Sequence, residues 1–141
     1  MSRTQSLVRE GHALSEAGAQ RRTLESEGIP SFDGELAKAD LFPLRAGAVD
    51  TLQVNVGRVC NQACSHCHVD AAPDRKESMQ REIFEQCLRV IEHFKIPVVD
   101  ITGGAPELNP HFRWFVESAA TLKCKIMVRC NLTIIVSNPR F

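Results

Sequence analysis

Thr51-Leu52-Gln53-Val54-Asn55-Val56-Gly57 runs directly into Arg58-Val59-Cys60-Asn61-Gln62-Ala63-Cys64-Ser65-His66-Cys67. In the first half Leu52, Val54 and Val56 alternate with polar residues at period two, which predicts a strand over 51–57 with one buried face. The second half has no periodicity and sets three cysteines within eight residues. A long loop is therefore expected over 58–77, leaving the end of a strand and carrying thiols.

Downstream of the loop the pattern becomes helical. Ile83, Phe84, Cys87, Leu88, Ile91 and Phe94 recur at helical spacing and predict a helix from about Ser78, a plausible N-cap, to Phe94. Pro97 ends it and pushes Ile96 toward an extended backbone. Val98-Val99-Asp100-Ile101-Thr102 is short and β-branched, a second strand, broken by Gly103-Gly104. Asn109-Pro110 offers a cap followed by proline and predicts a second helix whose buried face is Phe112, Phe115, Val116, Ala119 and Leu122. Lys125 to Arg129 reads as a third strand. Strands alternating with amphipathic helices give an α/β fold with parallel pairing. Ligands of such folds collect at the C-terminal strand ends. The cysteine loop, the Gly-Gly turn and Arg129-Cys130-Asn131 all fall there.

Upstream, residues 1–30 are polar, with Leu7, Leu14 and Leu24 too sparse for a buried face. They read as a mobile arm with some helix, and 31–50 as an irregular lead-in that Phe32, Leu36, Leu41, Phe42 and Leu44 pack onto the domain. Residues 1–50 thus precede a core domain over 51–141. The chain has 141 residues, 43% of them hydrophobic, with 17 basic and 17 acidic side chains. This balance supplies no basic stripe for nucleic acid and no polybasic run for a membrane surface. No run approaches the roughly 20 apolar residues a bilayer span needs, and no secretion signal opens the chain. A soluble, cytoplasmic protein is expected.

The six cysteines are Cys60, Cys64, Cys67, Cys87, Cys124 and Cys130. Without a secretion signal a tight cluster points to a metal or redox site rather than to disulfides. Three thiolates in one loop suit three irons of a [4Fe–4S] cube and leave the fourth iron open to a ligand. Cys60, Cys64, Cys67 and His68 as a zinc site would crowd four ligands of one tetrahedron into nine residues, where structural zinc usually joins two separate pairs. Thiol exchange normally places C-x-x-C at a helix start, not in mid-loop. His68 and Asp70 flank the cluster as outer partners or as ordinary loop residues. Cys87 lies on the apolar face of the first helix and reads as core, and Cys124 as a strand start.

Cys60-Asn61-Gln62-Ala63-Cys64-Ser65-His66-Cys67 resembles the signature of the radical S-adenosylmethionine (SAM) superfamily, C-x-x-x-C-x-aromatic-C, with His66 in the aromatic slot. The resemblance implies a partial (β/α) barrel, a [4Fe–4S] cluster on Cys60, Cys64 and Cys67, and SAM on the open iron with His66 beside the adenine. Gly103-Gly104-Ala105-Pro106-Glu107 resembles the superfamily's GGEP-like motif for the SAM amino group, with Ala105 in the usual glutamate position. Either the backbone binds the amine or Glu107 substitutes; Glu107 also has an ordinary place near a helix N-terminus.

A wider stretch, Phe32 to Thr133, resembles the arsenosugar biosynthesis radical SAM proteins. The matching segments are Leu52 to Gly57, Cys60 to Asp70, Asp100 to Phe112 and Arg129 to Thr133. That resemblance implies joining of a 5′-deoxyadenosyl group to a methylated arsenic(III) species, with electrons from a flavodoxin or ferredoxin. From their place at the third strand's end alone, Arg129 is a candidate to meet a carboxylate, Cys130 to hold arsenic as a soft thiolate and Asn131 to bond the nucleoside; strand-end packing is the plainer reading of all three. A complete eight-stranded barrel takes about 250 residues, and the family carries a cysteine-containing C-terminal domain. Ile134 onward does not read as a strand leading into another helix. The chain is therefore expected to be an N-terminal fragment with little or no turnover of its own. The alternative is a non-catalytic module that holds a cluster or zinc.

Overall fold

The computed structural model describes residues 5–137. The chain divides into two compact units. The first is Leu7–Val49, with helices α1 (Ala17–Ser26) and α2 (Phe32–Lys38). The second helix departs from the irregular lead-in expected for 31–50. Ser31 Oγ accepts from the Gly34 N–H at 3.2 Å. Asp33 and Glu35 stand in the first turn and Lys38 in the last, each complementing the helix dipole. Phe32, Leu41, Phe42 and Leu44 are exposed.

The second unit begins at Asp50 and takes in Ser6. Its elements are β1 (Thr51–Asn55), α3 (Arg81–Phe94), β2 (Val98–Thr102), α4 (Phe112–Thr121), β3 (Lys125–Val128) and α5 (Thr133–Ser137). The strands form one parallel sheet in the order β1-β2-β3, so the α/β expectation holds. Gln53, Asp100 and Met127 stand in register, as do Val54, Ile101 and Val128. Because side chains alternate across a strand, registered neighbours share a face. Val54, Val56, Val99 and Ile101 turn to the helices and form one core with Phe84, Ile91 and Phe115. The Phe84 and Phe115 rings meet at 4.8 Å, and the Arg81 guanidinium lies 3.3 Å over Trp114, tying α3 to α4. The opposite face carries Gln53, Asp100 and Arg129, bonded to one another.

Local chemistry moved several boundaries. Val56 keeps the ladder, N–H to Thr102 O at 2.9 Å, but the strand ends before Gly57, whose φ is +139°. Ser78 does not cap α3: it pairs with Gly57 in extended backbone, and the helix waits until Arg81. Ile83 and Phe94 are exposed, since the buried stripe follows Phe84, Cys87, Leu88 and Ile91. The second helix starts two residues beyond Pro110, behind a one-turn helix at Pro106–Leu108. Asn131 Oδ1 accepts from the N–H of Thr133 and starts α5, a helix not expected beyond Thr133. The last four residues, 138–141, lie outside those described, as do residues 1–4.

Candidate metal and cofactor site

The loop of residues 58–77 leaves β1 and folds back on itself. Arg58 N–H donates to Glu77 O at 2.9 Å, and Met79 N–H to Val56 O at 3.0 Å. Farther out Ala72 N–H donates to Arg58 O at 3.2 Å, and Cys60 N–H to Ala72 O at 3.3 Å. These bonds close the neck of the loop and leave Cys60, Cys64 and Cys67 on its outer part. Cys60 is buried, and Cys64 and Cys67 are half-buried. Cys60 packs with Ala71 and Ala105, and Cys67 and Val69 join them.

Two of the three sulfurs already receive N–H donors. Ala71 N–H donates to Cys67 Sγ at 3.3 Å, and the Asn131 amide to Cys60 Sγ at 3.5 Å. Hydrogen bonds to the sulfurs are among the features that tune an iron–sulfur site. Asn131 also donates to Asn61 Oδ1 at 3.0 Å, and Asn61 to Thr133 Oγ1 at 2.9 Å. The third strand's end is thereby sewn to the cysteine loop.

The Gly-Gly turn has a different use from the one its sequence suggests. Missing Cβ atoms were expected to admit a ligand to exposed backbone. A Cβ on Gly104 would instead lie 2.2 Å from Val59 O, and one on Gly103 2.7 Å from Gly57 O. The N–H groups of Gly104 and Ala105 are spent on Gly57 O and Val59 O, both at 2.9 Å. The glycines bring the second strand's turn hard against the cysteine loop. A small cavity remains in this seam, lined by Val56, Gly57, Glu77, Ser78, Gly104 and Asn109.

Glu107 is buried at the turn, and its Oε2 has no hydrogen-bond partner among the described residues. A buried carboxylate oxygen without a donor is costly. Burial pushes the Cys130 thiol up, and its hydrogen bond to Glu107 pushes it further. Arg129 grips the chain's own Asp100, as the plain reading of strand-end packing has it. Its Nε lies 3.0 Å from Oδ1 and its Nη2 2.6 Å from Oδ2. Arg129 first and then Gln53 hold the Asp100 carboxyl down to about 2. His66 and His68 are exposed. Burial raises the Cys87 thiol, in keeping with a place on the apolar face of α3.

Sequence reasoning missed Arg75, Asn109 and Ser6. Arg75 is buried in the loop between Asp70 and Glu77. Its signal, charges of both signs crowded over 70–77, resembles any solvated turn. The Asn109 amide donates to Val56 O, Ser78 Oγ and Met79 O at 3.0–3.1 Å, joining β1, the loop's return and α4. That residue drew notice only as a cap. Ser6 carries no signal at all.

Among the described residues no three His, Cys, Asp or Glu side chains converge on a point as ligands of one ion. A cube takes each thiolate on a different iron. Three soft donors, N–H groups aimed at two of them, and a buried carboxylate oxygen without a partner fit a cluster and a cationic ligand. The sequence pattern of the radical SAM superfamily matches residues 54–139.

The chain belongs to the radical SAM superfamily.

The superfamily match begins inside β1 and takes in the loop, both later strands and the helices between them. A protein named as a probable GTP 3′,8-cyclase, from Pyrococcus horikoshii, is 32% identical over 61 residues. That stretch is 43% of this chain and 20% of the relative, so the likeness spans about a fifth of the relative's length. No solved structure matches the chain. Among the described residues no helix is long and apolar enough to cross a membrane.

Proposed function

We propose that Cys60, Cys64 and Cys67 hold a [4Fe–4S] cluster in a radical SAM enzyme of which this chain is the cluster- and SAM-binding part. The observation that carries the reading is the seam at the strand ends. There the cysteine loop after β1 is locked against the Gly-Gly turn after β2, and Glu107 adds a buried oxygen without a donor. Held by Cys60, Cys64 and Cys67, such a cluster with one open iron would supply the electron for reductive cleavage of the SAM sulfonium, with methionine as the leaving group.

The chain's own residues do the holding. The N–H groups of Ala71 and Asn131 hydrogen-bond two of the three sulfurs, those of Cys67 and Cys60. Glu107 Oε2 offers an acceptor to the SAM ammonium, replacing the carboxylate that Ala105 lacks. Gly103, Gly104, Ala105 and Pro106 shape the turn that presents it, and His66 flanks the adenine. The acceptor of the deoxyadenosyl group is a methylated arsenic(III) species, a reading supported by the family resemblance of the four segments named above, with Cys130 as its soft ligand. The partial likeness to a probable GTP 3′,8-cyclase favours a nucleoside triphosphate as the second reading. Electrons come from a flavodoxin or ferredoxin in the cytoplasm.

Anaerobic reconstitution tests the proposal. The chain should take up about four irons and give a reduced EPR signal that SAM alters. Alanine at Cys60, Cys64 or Cys67 should abolish uptake. Glu107→Gln should keep the iron and weaken the SAM response. Stoichiometric zinc without iron would sink the reading. With reductant and SAM, consumption of methylarsenite or of GTP chooses between the two substrates, and 5′-deoxyadenosine formed by the 141-residue chain would show turnover without further sequence.

A further inference from the structure

We propose that Arg75 is a positioning residue that sets the shape of the cysteine loop before any cluster is present, and that Ser6 straps the same limb from outside. The loop of residues 58–77 contains no helix or ladder strand, so something else must fix it. Arg75 is buried, and a buried guanidinium is tolerated only when its donors are met. Its Nη1 donates to Asp70 Oδ2 at 3.2 Å, its Nε to Glu77 Oε2 at 3.1 Å, and its Nη2 to Glu77 Oε1.

These partners lie at opposite ends of the limb. Asp70 follows Cys67 by three residues, and its N–H donates to Cys67 O at 3.0 Å. It sits at φ +50°, a left-handed backbone that aspartate takes more readily than most non-glycine residues. Glu77 is at the neck, where its carbonyl accepts from Arg58. One planar fork therefore ties the backbone beside the last cysteine to the loop's point of closure. Lysine, a single point charge, does not reproduce that fork.

The adjacent residue is fastened from far away in sequence. Ser6 is fully buried, its N–H 3.1 Å from Asp74 Oδ1 and its hydroxyl 2.9 Å from Asp74 Oδ2. Ser6 thereby holds both carboxylate oxygens of Asp74, the residue next to Arg75 in the limb.

The clasp's purpose rests on the iron–sulfur reading, but its existence does not. Amide hydrogen exchange on the metal-free full chain reads it directly. Arg75→Met should speed exchange at Cys60 and Ala72 about tenfold or more while leaving Val56 and Arg129 in the sheet unchanged. Arg75→Lys should fall between, and Ser6→Ala should act in the same direction by less. In the reconstituted chain Arg75→Met should lose iron to a ferrous chelator about tenfold faster. Loop amides within twofold of wild type, with the sheet still protected, would overturn the proposal. If Arg75→Met also strips protection from the sheet, Ser6→Ala and Asp74→Asn decide by the same criterion. Wild type that binds no iron would defeat the cluster reading and leave the exchange result to judge the clasp. Iron bound with unchanged loop amides would defeat the clasp alone.

Discussion

Ile101 in the sheet and Ala72 in the cysteine loop are both fully buried, but different forces enclose them. Around Ile101 stand Phe84, Phe115, Ile91 and Val99, an apolar core between the sheet and two helices. Around the loop stand Arg75, Asp70, Glu77 and Asp74, together with backbone bonds at its neck. The core draws on burial of apolar surface, which is nondirectional and tolerant of small shifts. The loop draws on a few directional contacts, each of which leaves an unpaired polar group when broken. A protein that must hold reactive sulfurs at fixed spacing needs the second kind of support, and it can have it only beside the first.

The largest effect should come from breaking the core. Phe115→Ala removes a fully buried ring that packs on Phe84. It should cost about 3–5 kcal/mol, measured by urea unfolding. Because the loop is mounted on β1 and on the turn after β2, its amide protection should fall with the sheet's. A loop that kept its protection while the sheet melted would show that the two regions are independent.

Gly104→Ala attacks the seam between them. The new Cβ would meet the backbone carbonyl of Val59, not a flexible side chain. Overpacking of this kind costs about 1–3 kcal/mol, and the displaced partner is the cysteine loop. The expected outcome is a moderate loss of stability with a large loss of iron uptake. Equal iron binding by variant and wild type would show that the loop yields without consequence.

These two regions also differed in how far the sequence disclosed them. Leu52, Val54 and Val56 announce a strand by alternation, and Phe115, Ala119 and Leu122 a helix by spacing, because periodic burial leaves a periodic sequence. The C-terminal strand ends followed from topology, so the three cysteines and the Gly-Gly turn were placed together correctly. The contacts between them were not legible. Gly104 looked like an opening for a ligand, whereas Val59 O fills the space where its Cβ would be. Ser78 looked like a cap, but long-range pairing took it, and Asn109, whose Oδ1 does accept the His111 N–H ahead of the helix, gives its amide to distant partners as well. Arg129 carries no sign in the sequence of its partner Asp100, which lies 29 residues away. Polar contacts at that distance depend on the assembled fold and leave no period to read.

Acid should produce the smallest effect and separates the regions again. Arg129 and Gln53 hold the Asp100 carboxyl down to about 2, and Arg75 holds Glu77 to about 2 as well. Both values lie below the unfolded carboxylate range of about 4. The folded state therefore prefers these groups ionised. Their contribution is complete above the unfolded value and is lost as pH falls from about 4 through 2. Asp100→Asn should flatten part of the acid slope of global stability, since Asp100 is buried under the sheet's polar face. Each pair joins one buried and one exposed partner, so solvent screens both alike. Glu77→Gln should flatten the global slope less because Glu77 lies in the loop and not in the sheet. Its effect should appear instead in local opening, as faster exchange at Ala72 and Arg58 below pH 4 in wild type and at neutral pH in the variant. Equal effects of the two substitutions on both readouts would mean that sheet and loop open as one unit.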